Sequence, residues 1–394
     1  MKTLIELYDE RPLENVLGAE MLKPERIVYL CTEPVARDTR GQKKLREYFR
    51  HRGLTVSVEY IGAKLYETDK LLTLLRSLVK KYPDCAIDIS GGTDAALFAV
   101  GLLCAESDVP VFTYSRRKNT YYNIYNAPFG ESLPCDLRFS IEDCFMMAGG
   151  AMRSGRVDNR ILSKYMDDIE PFFQLYLANR RNWNRIVTYM QRVSQSGSSD
   201  GYITLDAKGD YVVKGERGSK ISCPEDALKA MEKIDFIRNL KIVRNDYVSF
   251  RFRDSQIRTW LRDVGSVLEL YVYKECLETG LFDDVMTSAI VDWEGDNREN
   301  AVTNELDVMC TRGVTPVFIS CKTCDVKTEA LNELAILRDR FGGKIAKAAI
   351  VTAERGGAAM RNRAEELDIT VIDISDLSSG RIGQRIKSMM NNKK

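Results

Sequence analysis

Apolar runs alternate with amphipathic stretches from residue 26 to residue 127. Arg26 to Thr32 reads as a buried strand, and a helix is expected from about Gly41 to Arg52. Strand, helix, strand, helix, strand follow at Thr55–Ile61, Thr68–Lys81, Ala86–Ile89, Asp94–Glu106 and Val109–Ser115, and a hairpin-like piece, Thr120 to Ala127, closes the unit. Strands this continuously apolar are covered on both faces, and helical crossovers between them make neighbours parallel. A doubly wound parallel α/β sheet is the fold that satisfies both demands.

The pattern changes from about Ser140 to Asp254. Helical stretches at Arg160–Leu177 and Trp183–Val193 lead to the polar run Ser194-Gln195-Ser196-Gly197-Ser198-Ser199-Asp200-Gly201. Short strands flank Gly209-Asp210, a helix follows Pro224, and Val248 to Arg253 alternates as a strand. Helices with a small hairpin suggest a winged-helix-like connector. The last part opens with a long helix, Ser255 to Thr279, then strands at Asp284–Asp292, Glu305–Cys310 and Thr315–Lys322. Helix (Val326–Phe341), strand (Ala346–Thr352), helix (Arg355–Leu367) and strand (Thr370–Ile374) complete a second α/β core. A chain of 394 residues has room for two or three such units at about 150 residues each.

Charge and composition exclude more than they include. Lys plus Arg number 58 against 57 Asp plus Glu, so any basic surface is local rather than global. The longest apolar run, Ala95 to Ala105, is shorter than the roughly 18 residues of a spanning helix. Glu6, Asp9 and Glu10 argue against an N-terminal signal or transit peptide. Ten cysteines without a framework spacing fit reduced thiols, so a soluble cytoplasmic protein with no membrane partner is expected. There is a single histidine, His51. Histidine-based triads and multi-histidine metal sites are thereby excluded, leaving carboxylates, lysines or thiols for any chemistry.

Several segments carry candidate functions. Asp88-Ile89-Ser90-Gly91-Gly92-Thr93-Asp94 stands where a strand passes into a helix. Paired glycines let backbone amides approach an anion closely, and the helix start presents unpaired N–H groups to it. The same segment also suits a plain tight turn with Thr93 or Asp94 as cap. Thr32, at the same sheet edge, makes a second wall. Arg46 to His51 matches the R-x4-H signature of HEPN ribonucleases, but it lies on a helix of the α/β unit, so a solvated helix end is the better reading. Cys321-Lys322-Thr323-Cys324 has no partner pair at zinc spacing. Between Ile237 and Arg262, seven basic residues (Arg238, Lys241, Arg244, Arg251, Arg253, Arg258, Arg262) face only Asp246 and Asp254 within the stretch. Such a run is either a solvated face or a track for a phosphate backbone.

The constellation with most chemical content is Asn304-Glu305-Leu306-Asp307-Val308, followed after a turn by Val317-Phe318-Ile319-Ser320-Cys321-Lys322. Glu305 and Asp307 are two apart in a strand and share a face, as do Ser320 and Lys322 on its neighbour. Upstream, Glu269 lies on a helix that can turn it toward the sheet. Carboxylates and a lysine on adjoining strands fit metal-assisted phosphodiester hydrolysis. An exposed edge with ordinary ion pairs is the plainer alternative, but a lysine at the end of an apolar run needs a partner.

Taken together, both ends of the chain resemble one family, the CRISPR-associated Rossmann-fold (CARF) sensors fused to a restriction-endonuclease-like PD-(D/E)xK nuclease. The resemblance rests on Leu22-Lys23-Pro24-Glu25-Arg26-Ile27-Val28 leading to Thr32, on Ser90-Gly91-Gly92-Thr93, on Leu268-Glu269-Leu270-Tyr271-Val272-Tyr273 and on Asn304-Glu305-Leu306-Asp307-Val308. It implies an α/β chain with a Rossmann-like CARF domain over residues 1–140, a helical, winged-helix-like connector over 141–254 and a nuclease domain over 255–394. It further implies an ancillary nuclease of type III CRISPR immunity, homodimeric and activated by a cyclic oligoadenylate, most often cyclic tetra-adenylate. Thr32, Ser90, Gly91, Gly92 and Thr93 would contact that ligand. The substrate would be DNA and/or single-stranded RNA, cut with Mn2+ or Mg2+. By the same resemblance Asp307 is the motif aspartate and Lys322 the motif lysine. The acidic residue expected at position 320 is Ser320, so Glu305 or Glu269 would supply the missing ligand, beside the Cys321 carbonyl. A ligand-responsive nucleic-acid-binding regulator with a degenerate nuclease fold is the alternative that Ser320 keeps open.

Overall fold

A computed structural model describes residues 1–153, 159–194, 204–215, 218–296, 298 and 300–391. The N-terminal unit comprises β1 (Thr3–Leu7), α1 (Glu14–Leu22), β2 (Arg26–Cys31), α2 (Glu33–Arg37), α3 (Thr39–His51), β3 (Ser57–Gly62), α4 (Thr68–Lys81), β4 (Cys85–Asp88), α5 (Asp94–Cys104), β5 (Val111–Ser115), β6 (Thr120–Tyr125) and β7 (Ser132–Pro134). Its seven strands run in the order β3-β2-β1-β4-β5-β6-β7. The first five are mutually parallel, and β6 and β7 return antiparallel. The doubly wound sheet expected from the pattern is therefore present.

Its central strand, β1, is one that the apolar pattern misses. Thr3-Leu4-Ile5-Glu6-Leu7 is fully buried, but Glu6 in its middle breaks the apolar signature. Glu6 lies opposite Asp88 of β4 in register. The sheet order reverses between β1 and β4, and in open α/β sheets the crevice beyond that switch point is where ligands bind.

The middle unit comprises α6 (Ile141–Met147), β8 (Ala151–Arg153), α7 (Asn159–Leu162), α8 (Met166–Asn179), α9 (Trp183–Val193), β9 (Asp206–Asp210), β10 (Val212–Lys214), β11 (Lys220–Ser222), α10 (Glu225–Lys233), β12 (Ile237–Ile242), β13 (Tyr247–Phe252) and α11 (Ser255–Trp260). A small antiparallel sheet, β12-β13-β9, and the hairpin β10–β11 accompany its helices. Phe250 and Phe252 face inward from β13 as alternation requires. The polar run expected as a loop lies, apart from Ser194, outside the described residues.

The C-terminal unit comprises α12 (Ser266–Glu278), β14 (Asp284–Asp292), β15 (Thr303–Arg312), β16 (Thr315–Lys322), α13 (Thr328–Gly342), β17 (Lys347–Thr352), α14 (Ala358–Glu366), β18 (Ile369–Ile372), α15 (Ile374–Ser378) and α16 (Ile382–Asn391). Its sheet is ordered β18-β17-β16-β15-β14-β8, antiparallel through β14, β15 and β16 and parallel from β16 to β18. The edge strand β8 is contributed from residues 151–153, ahead of the middle unit's helices. One expectation fails here. The long helix over 255–279 is two helices, because the Asp263 carboxylate takes the N–H groups of Gly265 (3.1 Å) and Ser266 (2.8 Å) and the Ser266 hydroxyl (2.7 Å). A side chain that bonds nearby backbone in this way competes with the helix ladder and starts a new helix.

Alternation divides the C-terminal sheet into two cores. Val308, Cys310, Val317, Ile319 and Val351 pack on α12 and on the middle unit's Phe172, Trp183 and Trp260. Met309, Phe318, Ala348 and Ile350 face the opposite way, into a core shared with Phe145 and with Leu4, Tyr29 and Phe112 of the N-terminal sheet. Polar contacts reinforce that junction. Arg40 on α3 bridges Glu294 (2.7 Å) and Asp296 (3.0 Å), and Lys44 donates to the Gly149 carbonyl (2.6 Å) and to that of Glu294. No helix among the described residues is long and apolar enough to cross a membrane.

Candidate functional site

The C-terminal constellation gathers where β15 and β16 separate. Their ladder ends at Val308 opposite Ile319, although both strands continue past that pair. Beyond it the Asp307 carboxylate replaces the backbone: its Oδ2 accepts the Cys321 N–H (2.6 Å), the Ser320 hydroxyl (3.0 Å) and the Lys322 ammonium (3.4 Å). Three of the residues singled out from the sequence thus meet on one oxygen. Strand N–H and C=O groups of one residue point to the same edge, so the Cys321 carbonyl is also turned toward Asp307. The Cys321 thiol lies in the core, and burial holds it well above its usual range.

Regular alternation is interrupted at this point. Pairing with β14 passes from Thr287–Val308 to Ala289–Leu306, with Ser288 at φ +53° between them. Leu306 joins one core and Val308 the other, so the alternation breaks beside Asp307, while both Asp307 and Glu305 lie near enough to Glu269 to act on its carboxyl. The Thr287 hydroxyl fixes Asp307 from this side by donating to its carbonyl (2.8 Å). Glu305 is exposed near the start of β15, one residue beyond Asn304, which accepts from Trp293 (2.7 Å) and donates to Glu333 (2.6 Å).

Glu269 projects from the first turn of α12 toward the same place and accepts from the Ser288 hydroxyl (3.3 Å). Burial, then the charges of Asp307, Asp263 and Glu305, pushes its carboxyl up to about 8. Burial pulls Lys322 down, but Asp307 with the other acids around it more than offsets that, so the ammonium is held. Carboxylates are therefore crowded together with one lysine among them. Among the described residues no group of three or more His, Cys, Asp and Glu side chains has the arrangement of a metal site. The donor chemistry nevertheless fits one hard divalent ion: two carboxylates, Asp307 and Glu269, share a partly buried space with a carbonyl, and a cation there would offset both the burial and the neighbouring charges that raise Glu269. Ser288 and Asp263 belong to this neighbourhood and were not singled out from the sequence; hydroxyl and acid in unremarkable local context gave no signal.

At the N-terminal sheet, β2, β1 and β4 deliver their loops to one edge. Asp88 Oδ1 accepts both the Ser90 N–H (2.8 Å) and the Ser90 hydroxyl, whose oxygen in turn accepts the Tyr114 N–H (2.8 Å). Gly91 leaves no room for a side chain, since a Cβ there would stand 2.4 Å from the Leu7 carbonyl oxygen. Gly92 has φ +94° and is exposed. Thr93 caps α5 through the Ala96 N–H (3.2 Å), and its hydroxyl donates to the Leu65 carbonyl (2.7 Å). Thr32 is exposed at the start of α2, about 10 Å away at two strand spacings. The five residues predicted to face a ligand thus share one edge at the switch point. Asp88, which opens the segment singled out from the sequence but was given no role there, holds Ser90 in place.

Other candidates resolve as structural. His51 ends α3 and pairs with Asp143 (3.2 Å). The basic strip is largely neutralised by acids from other segments: Arg238 by Asp235, Arg244 by Glu225, Arg251 by Asp206 and Arg253 by Asp168.

Comparisons agree with this geometry. Residues 254–392 match the family model described as the Card1-like endonuclease domain. Over 99% of its length the chain superposes on 99% of protein VC1899 from Vibrio cholerae, with TM-score 0.75 and 17% identity. It superposes equally widely, covering 98% of that chain, on Can2 from Sulfobacillus thermosulfidooxidans in complex with cyclic tetra-adenylate, with TM-score 0.71 and 15% identity. The chain therefore shares the α/β fold of those two structures over nearly its whole length. The residues matched by the Card1-like endonuclease model include Glu269, Asp307 and Lys322. A search of curated proteins by sequence returns no match.

Proposed function

We propose that the protein is a cyclic tetra-adenylate-activated, divalent-metal-dependent endonuclease of type III CRISPR defence, acting in the cytoplasm on DNA and/or single-stranded RNA. The observation that carries this reading is the meeting of Ser320, Cys321 and Lys322 on the Asp307 carboxylate, with half-buried Glu269 beside it, inside a Card1-like endonuclease domain. Asp307, Glu269 and the Cys321 carbonyl would hold Mn2+ or Mg2+, with Glu305 at the open rim. A bound ion of this kind supplies Lewis acidity at the scissile phosphate. Lys322, kept charged by Asp307, steadies negative charge on the reacting phosphate. Ser320 cannot act as an anionic ligand; its hydroxyl orients Asp307 instead.

The sensor half is read in the same way. Ser90, Gly91, Gly92 and Thr93 cradle a phosphate of the ligand, and Thr32 closes the neighbouring wall. Helix α5 starts at that cradle and exposes Leu97 (37%), Phe98 (63%) and Leu102 (37%) along one side. A second copy of the chain seated on this apolar side would bring two cradles to one two-fold axis, as a single cyclic ligand shared by a homodimer requires. Support also comes from Can2, whose solved complex contains cyclic tetra-adenylate.

The decisive experiment incubates purified protein with plasmid and with single-stranded DNA and RNA, with and without cyclic tetra-adenylate and Mn2+. Cleavage that needs both additions is the expected result. Ligand-dependent nucleic-acid binding without cleavage would move the regulator reading ahead. Light scattering on wild type and Phe98→Asp tests the dimer surface, the variant being expected as a monomer.

A further inference from the structure

The loop between β3 and α4 carries a feature that the proposed cradle does not use. Leu65 is buried there at 6% exposure, while Lys64 and Tyr66 on either side of it face solvent. Tyr66 is 79% exposed, more than any other large apolar side chain among the described residues. The loop is not loose at this point. The Thr93 hydroxyl, on the cradle itself, donates to the Leu65 carbonyl at 2.7 Å, and the next residue after that carbonyl is Tyr66. Leu65 therefore anchors the loop from below, Thr93 ties it to the cradle from the side, and an aromatic ring and an ammonium are left outward at the rim.

We propose that this loop is a base-and-phosphate clamp, in which Tyr66 stacks on a purine of the bound cyclic oligonucleotide and Lys64 faces one of its phosphates. The inference rests on the proposed reading of Ser90 to Thr93 as a phosphate cradle and adds a second element to it. A nucleotide seated by its phosphate on the glycine turn carries its base one sugar away. Tyr66 stands one residue past the bond that pins the turn, so both ends of a nucleotide meet a suitable group. An exposed phenol ring gains most from a flat aromatic partner, because stacking removes two apolar faces from water at little cost in side-chain freedom. Lys64 adds charge that any phosphate attracts, and its position beside the anchored Leu65 holds it near the same ligand.

Calorimetry on the full-length chain with cyclic tetra-adenylate tests the clamp. Wild type, Tyr66→Ala, Tyr66→Phe and Lys64→Ala are titrated at low and at high salt, and each is checked by light scattering. Tyr66→Ala should weaken binding by roughly five- to a hundredfold, the range for one base–aromatic stack, and Tyr66→Phe should restore it to near wild type. Lys64→Ala should weaken binding more at low salt than at high. Tyr66→Ala binding within about twofold of wild type, the usual scatter of such measurements against the stacking range, overturns the clamp and leaves the cradle standing. Failure of wild type itself to bind overturns the cradle reading on which the clamp depends. A Tyr66→Ala protein that loses its dimeric mass assigns the ring to the subunit interface and also overturns the proposal.

Discussion

Replacing Asp307 separates its structural work from its proposed chemical work. Its carboxylate accepts the Cys321 N–H at 2.6 Å where the β15–β16 ladder has already stopped, so in Asp307→Ala that amide loses its partner. An unsatisfied, largely buried donor costs about 1–3 kcal/mol. For a unit of this size that corresponds to roughly 2–10 °C of melting temperature. Asp307→Asn keeps a side-chain oxygen in reach of Cys321, so its melting temperature should fall by less than that of the alanine variant. It removes the negative charge, however, and with it the partner of Lys322 at 3.4 Å and the proposed metal ligand. Cleavage should therefore drop by about a hundredfold or more in both variants, the scale for losing one group that stabilises a transition state. Calorimetric melting combined with a timed plasmid and single-strand cleavage assay in Mn2+ gives both numbers. Asp307→Asn cutting at the wild-type rate would show that the reaction centre lies elsewhere.

Three further outcomes are expected. Ser320→Glu places a carboxylate where a hydroxyl now donates to Asp307 at 3.0 Å, so the variant should melt lower without divalent ions and gain more from Mn2+ than wild type; equal gains would dissociate position 320 from metal binding. Glu6 and Asp88 face one another across β1 and β4; burial, then Asp88, raises Glu6 well above its usual range, and burial raises Asp88 to about 6. Both bind protons more tightly folded than unfolded, so the stability present below about pH 4 declines as pH rises through about 6 and beyond. Glu6→Gln should accordingly lose less melting temperature between about pH 5 and pH 8 than wild type, and parallel curves would contradict the assignment. Finally, Arg40→Glu breaks the bridges to Glu294 and Asp296 that join the sensor to the segment leading into β15, and Glu294→Arg in the same chain should restore part of the pairing. Ligand-stimulated cleavage, measured as a ratio to the unstimulated rate, should fall in the single variant and recover partly in the double; no change in that ratio removes this bridge from the coupling route.

The elements that were legible are helices with an apolar face at helical spacing and strands that read as apolar runs. Thr68–Lys81, Trp183–Val193, Asp284–Asp292 and Thr315–Lys322 have the bounds that the sequence suggests. Where a side chain overrides the period, the sequence misleads. Glu6 hides the central strand because a buried acid looks like a surface position. Asp263 splits an amphipathic run into two helices by bonding its own backbone neighbourhood. Beside Asp307 the strand alternation breaks, and its carboxylate does the work of a backbone carbonyl toward Cys321, which no strand period predicts. The candidate residues were nevertheless found, because carboxylates and lysine at the ends of apolar strands are conspicuous even when their exact facing is not. Glu269 could be placed near them only as a helix position, and its proximity to Asp307 is a tertiary fact.

Ser320 is then less of a defect than it looks in the linear motif. A site for one divalent ion needs hard oxygens converging from any elements that reach it, and the chain positions matter only through that convergence. Glu269 brings its carboxylate from α12, on a helix start locked by Asp263 and against a strand kinked at Ser288. On the proposed reading, that approach would substitute a carboxylate from a different element for the one absent at 320, while the Ser320 hydroxyl donates to Asp307 Oδ2. Burial first, and then the neighbouring charge of Asp307, raises the half-buried Glu269 carboxyl to about 8, so near neutral pH it holds its proton beside Asp307. On the proposed reading, a divalent ion held by Asp307 would favour release of that proton and bring Glu269 in as a second anionic ligand.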